Sequence, residues 1–308
     1  MSWERHDVAS AALGEERPLW VWAPTDRSRS YPVVYVLHAH MRSAASWFNV
    51  TPFEQSYPDA IEELAPRAIV ALVDAWTWVG GSQWIDSDGL GRFGTYLAED
   101  VVPFVEERYP ANGQRGLQGK SSGAYGALVN AFRRPDLFHA VAAHSPMALF
   151  EVTIAHDFPG VARELRERDS TLEDALRSID GLDSHADAVL VEVGALAYAF
   201  SNGALPFRSD IAALVPEVWE QWLAHDPLRL AAASPDAVRG VRGVWLDAGR
   251  RDEYFLDLGV VALRDTLLAV GLPEDALRFE LFEGGHRGLS GRYPASLDWL
   301  TGRLSITL

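Results

Sequence analysis

Short aliphatic runs alternate with amphipathic stretches along most of the chain. Val33–Leu37 and Ile69–Val73 are unbroken apolar runs, the pattern of strands covered on both faces. Leu19–Ala23, Gly116–Gln118, Ala140–Ala143, Val241–Leu246 and Arg278–Phe282 are further strand candidates. Between them, Tyr96–Arg108 repeats apolar residues at Leu97, Val101, Phe104 and Val105, with Pro103 placed to kink the helix or mark its first turn. Val260, Leu263, Leu267 and Val270 keep helical spacing until Gly271 and Pro273 end it. This alternation predicts an α/β protein: a mostly parallel central sheet with helices on both faces. The rhythm breaks from about Met147 to Asp236, which holds a charged helix candidate near Val161–Ile179 and a segment carrying Trp219 and Trp222. The expectation is a single domain over 1–308, with 147–236 a cap-like insertion over the carboxyl edge of the sheet. The plainer alternative makes the later part of that stretch ordinary sheet-covering helix.

The 308 residues contain no cysteine, which excludes disulfides, thiolate metal sites and cysteine nucleophiles. The net charge of -16 with no offsetting basic patch argues against nucleic-acid partners. The polar start, Met1 to Asp7, lacks the basic and apolar regions of a signal peptide, and no run of 18 apolar residues suggests a membrane span. A cytoplasmic location is the resulting expectation; oligomeric state is unread. Lys120 is the only lysine in the chain, all other cations being arginine. It is either a leftover of arginine-rich codon usage or a functional group.

The chemistry centres on Leu117-Gln118-Gly119-Lys120-Ser121-Ser122-Gly123-Ala124-Tyr125-Gly126, where Gly119, Ser121 and Gly123 fit G-x-S-x-G. The pattern places a nucleophile on a tight strand-to-helix turn whose flanking positions have no room for side chains. Alone it is weak. Here an apolar strand precedes it, and Ala124, Ala127, Leu128 and Ala131 form one helical face after it, until Pro135. Gly119-Lys120-Ser121 also spells the end of a phosphate loop, but Gln114 stands where that loop needs glycine.

A serine hydroxyl needs an imidazole base and a carboxylate to orient it, in the chain order serine, acid, histidine. Of the later histidines, His156, His185 and His225 lie in the irregular stretch. His286 follows a strand candidate in Glu283-Gly284-Gly285-His286 and is the preferred base, with a surface-loop histidine as the alternative. Asp252 is the preferred acid, several residues beyond the strand ending at Leu246; Asp247 and Glu253 compete with it. The oxyanion donors should be the backbone N–H of Ser122 and one from His38-Ala39-His40-Met41-Arg42, with His40 preferred and Met41 second. The His40 side chain then either lines the acyl pocket or packs on Trp47. Trp47, Trp84 and Met147 are candidate pocket residues; Trp76 and Trp78 lie in segments that could also border the cleft.

With these residues in hand, the chain resembles the Putative esterase family of the α/β-hydrolase superfamily, which includes esterase D, feruloyl, acetyl-xylan and enterochelin esterases, and mycolyltransferases. The resemblance runs through Tyr31–His38, Trp47, Thr51-Pro52-Phe53-Glu54, Asp86-Ser87, Tyr96–Tyr109, Gly119–Gly126, Pro135–Phe138, Ser145-Pro146, Gly249–Asp252 and Gly284–His286. Ala39 and His40 replace glycines that the family often carries after its oxyanion-loop histidine, and Ala124 replaces another after the elbow. The resemblance implies an α/β-hydrolase fold and a serine esterase working through an acyl-enzyme, with Ser121, His286 and Asp252 as triad. A small-molecule ester is the implied substrate, and neither metal nor organic cofactor is implied. Two alternatives remain at this level: acyl transfer to an alcohol other than water, and a non-catalytic binding protein on the same scaffold.

Overall fold

The computed structural model describes residues 3–49, 55–182, 184–289 and 291–305. Thr51-Pro52-Phe53-Glu54, part of the family resemblance, lies outside the described residues.

Among the described residues ten strands are formed: β1 (Glu4–Ser10), β2 (Glu15–Trp22), β3 (Tyr31–Leu37), β4 (Ile69–Val73), β5 (Asp86–Ser87), β6 (Gly91–Arg92), β7 (Ala111–Lys120), β8 (Ala140–His144), β9 (Gly243–Gly249) and β10 (Leu277–Phe282). β5 and β6 make a small ribbon; the other eight form one sheet in the order β1-β2-β4-β3-β7-β8-β9-β10. β1 and β2 form an antiparallel hairpin, and β2 joins β4 antiparallel. From β4 to β10 every pairing is parallel. The carboxyl ends of β3, β7, β8, β9 and β10 therefore open on one edge.

β3 shows why this sheet is covered on both faces. All seven of its residues are buried. Val33, Tyr35 and Leu37 enter one apolar cluster, Val34 and Val36 another. That two-residue period is the strand's own. On the first face lie α3 (Val102–Arg108), α4 (Ser122–Arg133) and α12 (Leu256–Ala269); on the second lie α1 (Tyr57–Leu64) and α13 (Arg292–Ser305). A short turn, α2 (Phe93–Thr95), leads into a π-helical stretch, Tyr96–Val101, before α3. Pro103, the second residue of α3, has no N–H to offer the preceding turn, and the widened turn falls immediately before it.

Between β8 and β9 the described residues form helices, α5 (Phe150–Thr153), α6 (Phe158–Arg168), α7 (Leu172–Arg177), α8 (His185–Ser201), α9 (Pro216–Leu223), α10 (Pro227–Ala233) and α11 (Pro235–Gly240), and an isolated bridge between Phe207 and Leu214. Most of them share a third apolar cluster with Val79, Tyr125, Val129 and Leu256. Those four residues belong to segments that follow strand carboxyl ends. The single helix expected near Val161–Ile179 is two. Asp169 turns left-handed at φ 47°, and Thr171 restarts the chain as α7 by accepting the Asp174 N–H. The later part of this stretch also supplies sheet-covering helix, since Ala231 and Val238 enter the main core. Among the described residues no helix is long and apolar enough to cross a membrane.

Candidate active site

The elbow between β7 and α4 owes its shape to crowding. A Cβ on Gly119 would lie 2.4 Å from Gly123 C, and one on Gly123 would lie 2.1 Å from Leu37 O. No real Cβ survives at such separations, so the chain must carry glycine at both positions for β7, the turn and β3 to meet. Ser121 between them has φ 55°, ψ -122°, a region that side-chain-bearing residues avoid. Its N–H is held by His144 O at 2.9 Å, and its carbonyl accepts the Tyr125 N–H at 2.8 Å. The strain is thus fixed from both sides, at the N-terminus of a 12-residue helix. The Ser122 N–H is one of the orphan donors that every helix start presents.

Asp252 and His286 meet on the loops beyond β9 and β10. His286 Nδ1 lies 2.9 Å from Asp252 Oδ2. A carboxylate can only accept, so Nδ1 carries a proton, and in the neutral ring Nε2 then keeps the lone pair. Asp252 Oδ1 accepts the Tyr254 N–H, and its side chain has no exposed surface. The two loops are bound to each other directly: Arg250 N–H donates to Phe282 O and Arg251 N–H to Gly284 O, each at 2.9 Å. Gly249 permits this approach, since a Cβ there would lie 2.4 Å from Gly285 O. Among the described residues no hydrogen bond joins Ser121 Oγ to the ring of His286.

The competing carboxylates have other partners. Glu253 Oε2 accepts the His286 backbone N–H at 2.7 Å, which fixes the base loop rather than the ring. This bond, more than any other effect, holds the Glu253 carboxyl below its usual range. Asp247 belongs to a buried network: Oδ1 accepts from His144 Nδ1 at 2.9 Å, and Oδ2 from the Trp245 indole and Arg292. Burial opposes charge on Asp247, yet His144, Trp245 and Arg292 outweigh it and hold the carboxyl low. The other ring nitrogen of His144 is 2.8 Å from Ser296 Oγ. Gln118 then donates to Ser296 and accepts from the Tyr57 hydroxyl.

In the loop after β3, Met41 N–H donates to Gly80 O and Arg42 N–H to Ala39 O. The His40 N–H has no partner among the described residues. The His40 ring donates from Nε2 to Val79 O at 2.8 Å, and burial lowers its pKa, which keeps it neutral. Trp47 meets Tyr57 and Tyr293, with ring centres 4.9 and 5.1 Å away, and among the described residues no ring contact joins it to His40. His38 ties this loop down. Its Nε2 accepts the Ala75 N–H at 2.9 Å and its Nδ1 donates to Ala39 O at 3.0 Å.

Two clefts flank this region. One, of about 340 Å³, is lined by Trp47, Tyr57, Lys120 and Tyr293 with the loop after β3. The other, of about 210 Å³, is lined by Met41, Trp76, Trp78 and residues of α7 and α8. Trp84 and Met147 line neither. Trp84 is 1% exposed, packs against Gly126 and donates its indole N–H to His38 O. Met147, 4% exposed, sits in the helical cluster. Both are packing residues, the commoner fate of large apolar side chains near a sheet edge. Neither His38 as a loop anchor nor the Glu253 bond to the base loop is legible in the sequence, because both act through backbone groups whose positions only the fold defines.

A family model described as "Putative esterase" matches residues 10–299. Among solved structures, a ferulic acid esterase is 19% identical, with TM-score 0.64 and 98% of each chain covered. FphF, a fluorophosphonate-binding serine hydrolase of Staphylococcus aureus, is 16% identical with TM-score 0.65, covering 97% of this chain and 98% of that one. An S-formylglutathione hydrolase from Agrobacterium tumefaciens is 15% identical with TM-score 0.64 over 99% of each chain. At these identities the likeness is one of fold. The family match over nearly the whole chain goes further: the protein belongs to the Putative esterase family and is a carboxylic ester hydrolase.

Proposed function

We propose that the protein hydrolyses carboxylic esters of small molecules through an acyl-enzyme on Ser121. His286 acts as general base and acid, and Asp252 orients it. The observation that carries this reading is the 2.9 Å contact between His286 Nδ1 and Asp252 Oδ2, made on the edge where Ser121 is held at φ 55°. That contact leaves His286 Nε2 as the free acceptor, the tautomer a base needs.

In the first half-reaction Ser121 Oγ bonds to the ester carbonyl carbon while His286 Nε2 takes the hydroxyl proton. The carbonyl oxygen becomes negative and is held by the N–H groups of Ser122 and His40. Neither donor has another hydrogen bond to give up among the described residues, and each is worth about 3 kcal/mol at such a site. Collapse breaks the carbon–oxygen bond to the alcohol, which leaves with the proton from His286. Water then repeats the sequence, giving its proton to His286, and the acid departs as Ser121 Oγ is reprotonated. Hydrogen bonds of this kind are often long before substrate arrives and shorten in the complex. We read 147–236 as a cap to this site, on the strength of its shared cluster with Val79, Tyr125 and Leu256.

A screen of p-nitrophenyl esters of rising acyl length, run beside Ser121→Ala, tests the reading. Hydrolysis that vanishes in the folded variant supports it. Hydrolysis that persists undiminished excludes Ser121 as the nucleophile.

A further inference from the structure

The cleft of about 340 Å³ beside the elbow has an electrostatic character opposite to that of the whole protein. The chain holds 43 acidic residues against 27 lysines and arginines. Yet no carboxylate among the described residues lines this cleft, while Lys120 and Arg42 do. Neither cation makes a salt bridge or side-chain hydrogen bond among the described residues, and the nearby Arg287 makes none either. The nearest carboxylates are already committed, Asp252 to His286 and Glu253 to the His286 N–H. The remaining wall is rich in donors. It includes the hydroxyls of Ser43 and Ser46, which bond to each other, and the Trp47 indole, whose buried Nε1 has no partner among the described residues.

We propose that this cleft is an anion subsite: it binds a carboxylate or phosphate carried by the ester substrate, with Lys120 as the main contact and Arg42 as the second cation. The proposal deepens the esterase reading and rests on Ser121 as nucleophile. Lys120 immediately precedes Ser121, its ammonium group feels the charges of Asp252 and Glu253, and Ala39 of the loop after β3 lines the same cleft, which ties the cleft to the elbow. The rings of Trp47, Tyr57 and Tyr293 give the carbon frame of the substrate an apolar wall. The choice of lysine fits a partly buried cation. Burial pushes Lys120 down to about 8, against the attraction of Asp252 and Glu253 and with the repulsion of Arg42 and Arg287. A bound anion relieves that penalty. The other titratable groups on the wall, His38, Tyr57 and Tyr293, are all neutral there: burial lowers the histidine and raises both tyrosines.

Two esters of similar length test the subsite: 4-nitrophenyl hemisuccinate, which is anionic, and 4-nitrophenyl valerate, which is neutral. The wild type should favour the anionic ester at least ten-fold in kcat/KM at pH 7. Lys120→Met should bring that ratio close to one, and Lys120→Arg should keep most of it. Lys120 is charged below its pKa, so the wild-type preference should fade as pH rises past 8, whereas Lys120→Arg should hold it. Direct binding of succinate and of inorganic phosphate, titrated separately by tryptophan fluorescence, distinguishes carboxylate from phosphate and needs no turnover. The subsite is overturned if Lys120→Met keeps the wild-type ratio in Ser121-dependent hydrolysis, or if neither anion binds. Should neither ester be cleaved in a Ser121-dependent way, the esterase reading fails, and the binding titrations still decide the subsite.

Discussion

Three carboxylates lie in the last residues of β9 and the loop after it, and their bonding sets them apart. Asp252 faces the Nδ1 of His286, Glu253 the backbone of the same residue, and Asp247 a different histidine altogether. Asp252→Asn should therefore lower kcat by about 10³ to 10⁴-fold, because an amide can donate to Nδ1 and stabilise the wrong tautomer. Glu253→Gln should cost less than ten-fold, since its bond positions the loop only. Steady-state kinetics on one chromogenic ester, with thermal melts as a folding control, separates the two. A different test belongs to Glu192 on α8, whose carboxyl has neither hydrogen bond nor ion pair among the described residues. Burial, with Asp157 and Asp252 nearby, pushes it up to about 7 from an ordinary 4.5. A folded-state pKa raised in this way contributes stability that is full below pH 4.5 and lost as pH rises through 7. Glu192→Gln should thus raise the melting temperature over the wild type at pH 8, and the difference should close at pH 4.

At the scale of elements, the network from Asp247 through His144 and Ser296 to Gln118 ties β9, β8, α13 and β7 into one buried unit. His144 and Asp247 have no exposed side-chain surface. Removing one partner strands the other in a dry interior, at a cost of about 3–5 kcal/mol. His144→Ala should accordingly shift the urea midpoint sharply downward, while the surviving folded enzyme keeps a KM near that of the wild type. This network also marks the limit of what pattern reading reaches. The buried strands β3, β4 and β8 are plain in the sequence because continuous aliphatic runs leave little choice of structure. β1 was invisible: in Glu-Arg-His-Asp-Val-Ala-Ser, Val8 and Ser10 alone are well buried, and an edge strand with polar side chains has no hydrophobic signature. The glycines of the elbow were legible because steric crowding admits no other residue. The partners of Trp84 and His40 were not, because a tryptophan or histidine in a loop is chemically suited to a wall, a core or a backbone contact, and only the surrounding packing decides among them.

Across the whole molecule, the parallel sheet brings to one edge three side chains that are 34 to 165 residues apart in sequence, and the helices between β8 and β9 pack beside that edge. The acidic surface surrounds a cleft whose own lining is basic and donor-rich. A fluorophosphonate probe should label the wild type stoichiometrically, and prior incubation with a slowly hydrolysed ester should block it. The most direct measurement is mass spectrometry of the protein quenched during turnover of a p-nitrophenyl ester, with the adduct mapped by peptide. The account predicts one acyl group, on the peptide carrying Ser121, that accumulates further in Asp252→Asn if deacylation is slowed and is absent in Ser121→Ala. An acyl group on any other residue, or full hydrolysis by Ser121→Ala without an adduct, would contradict it.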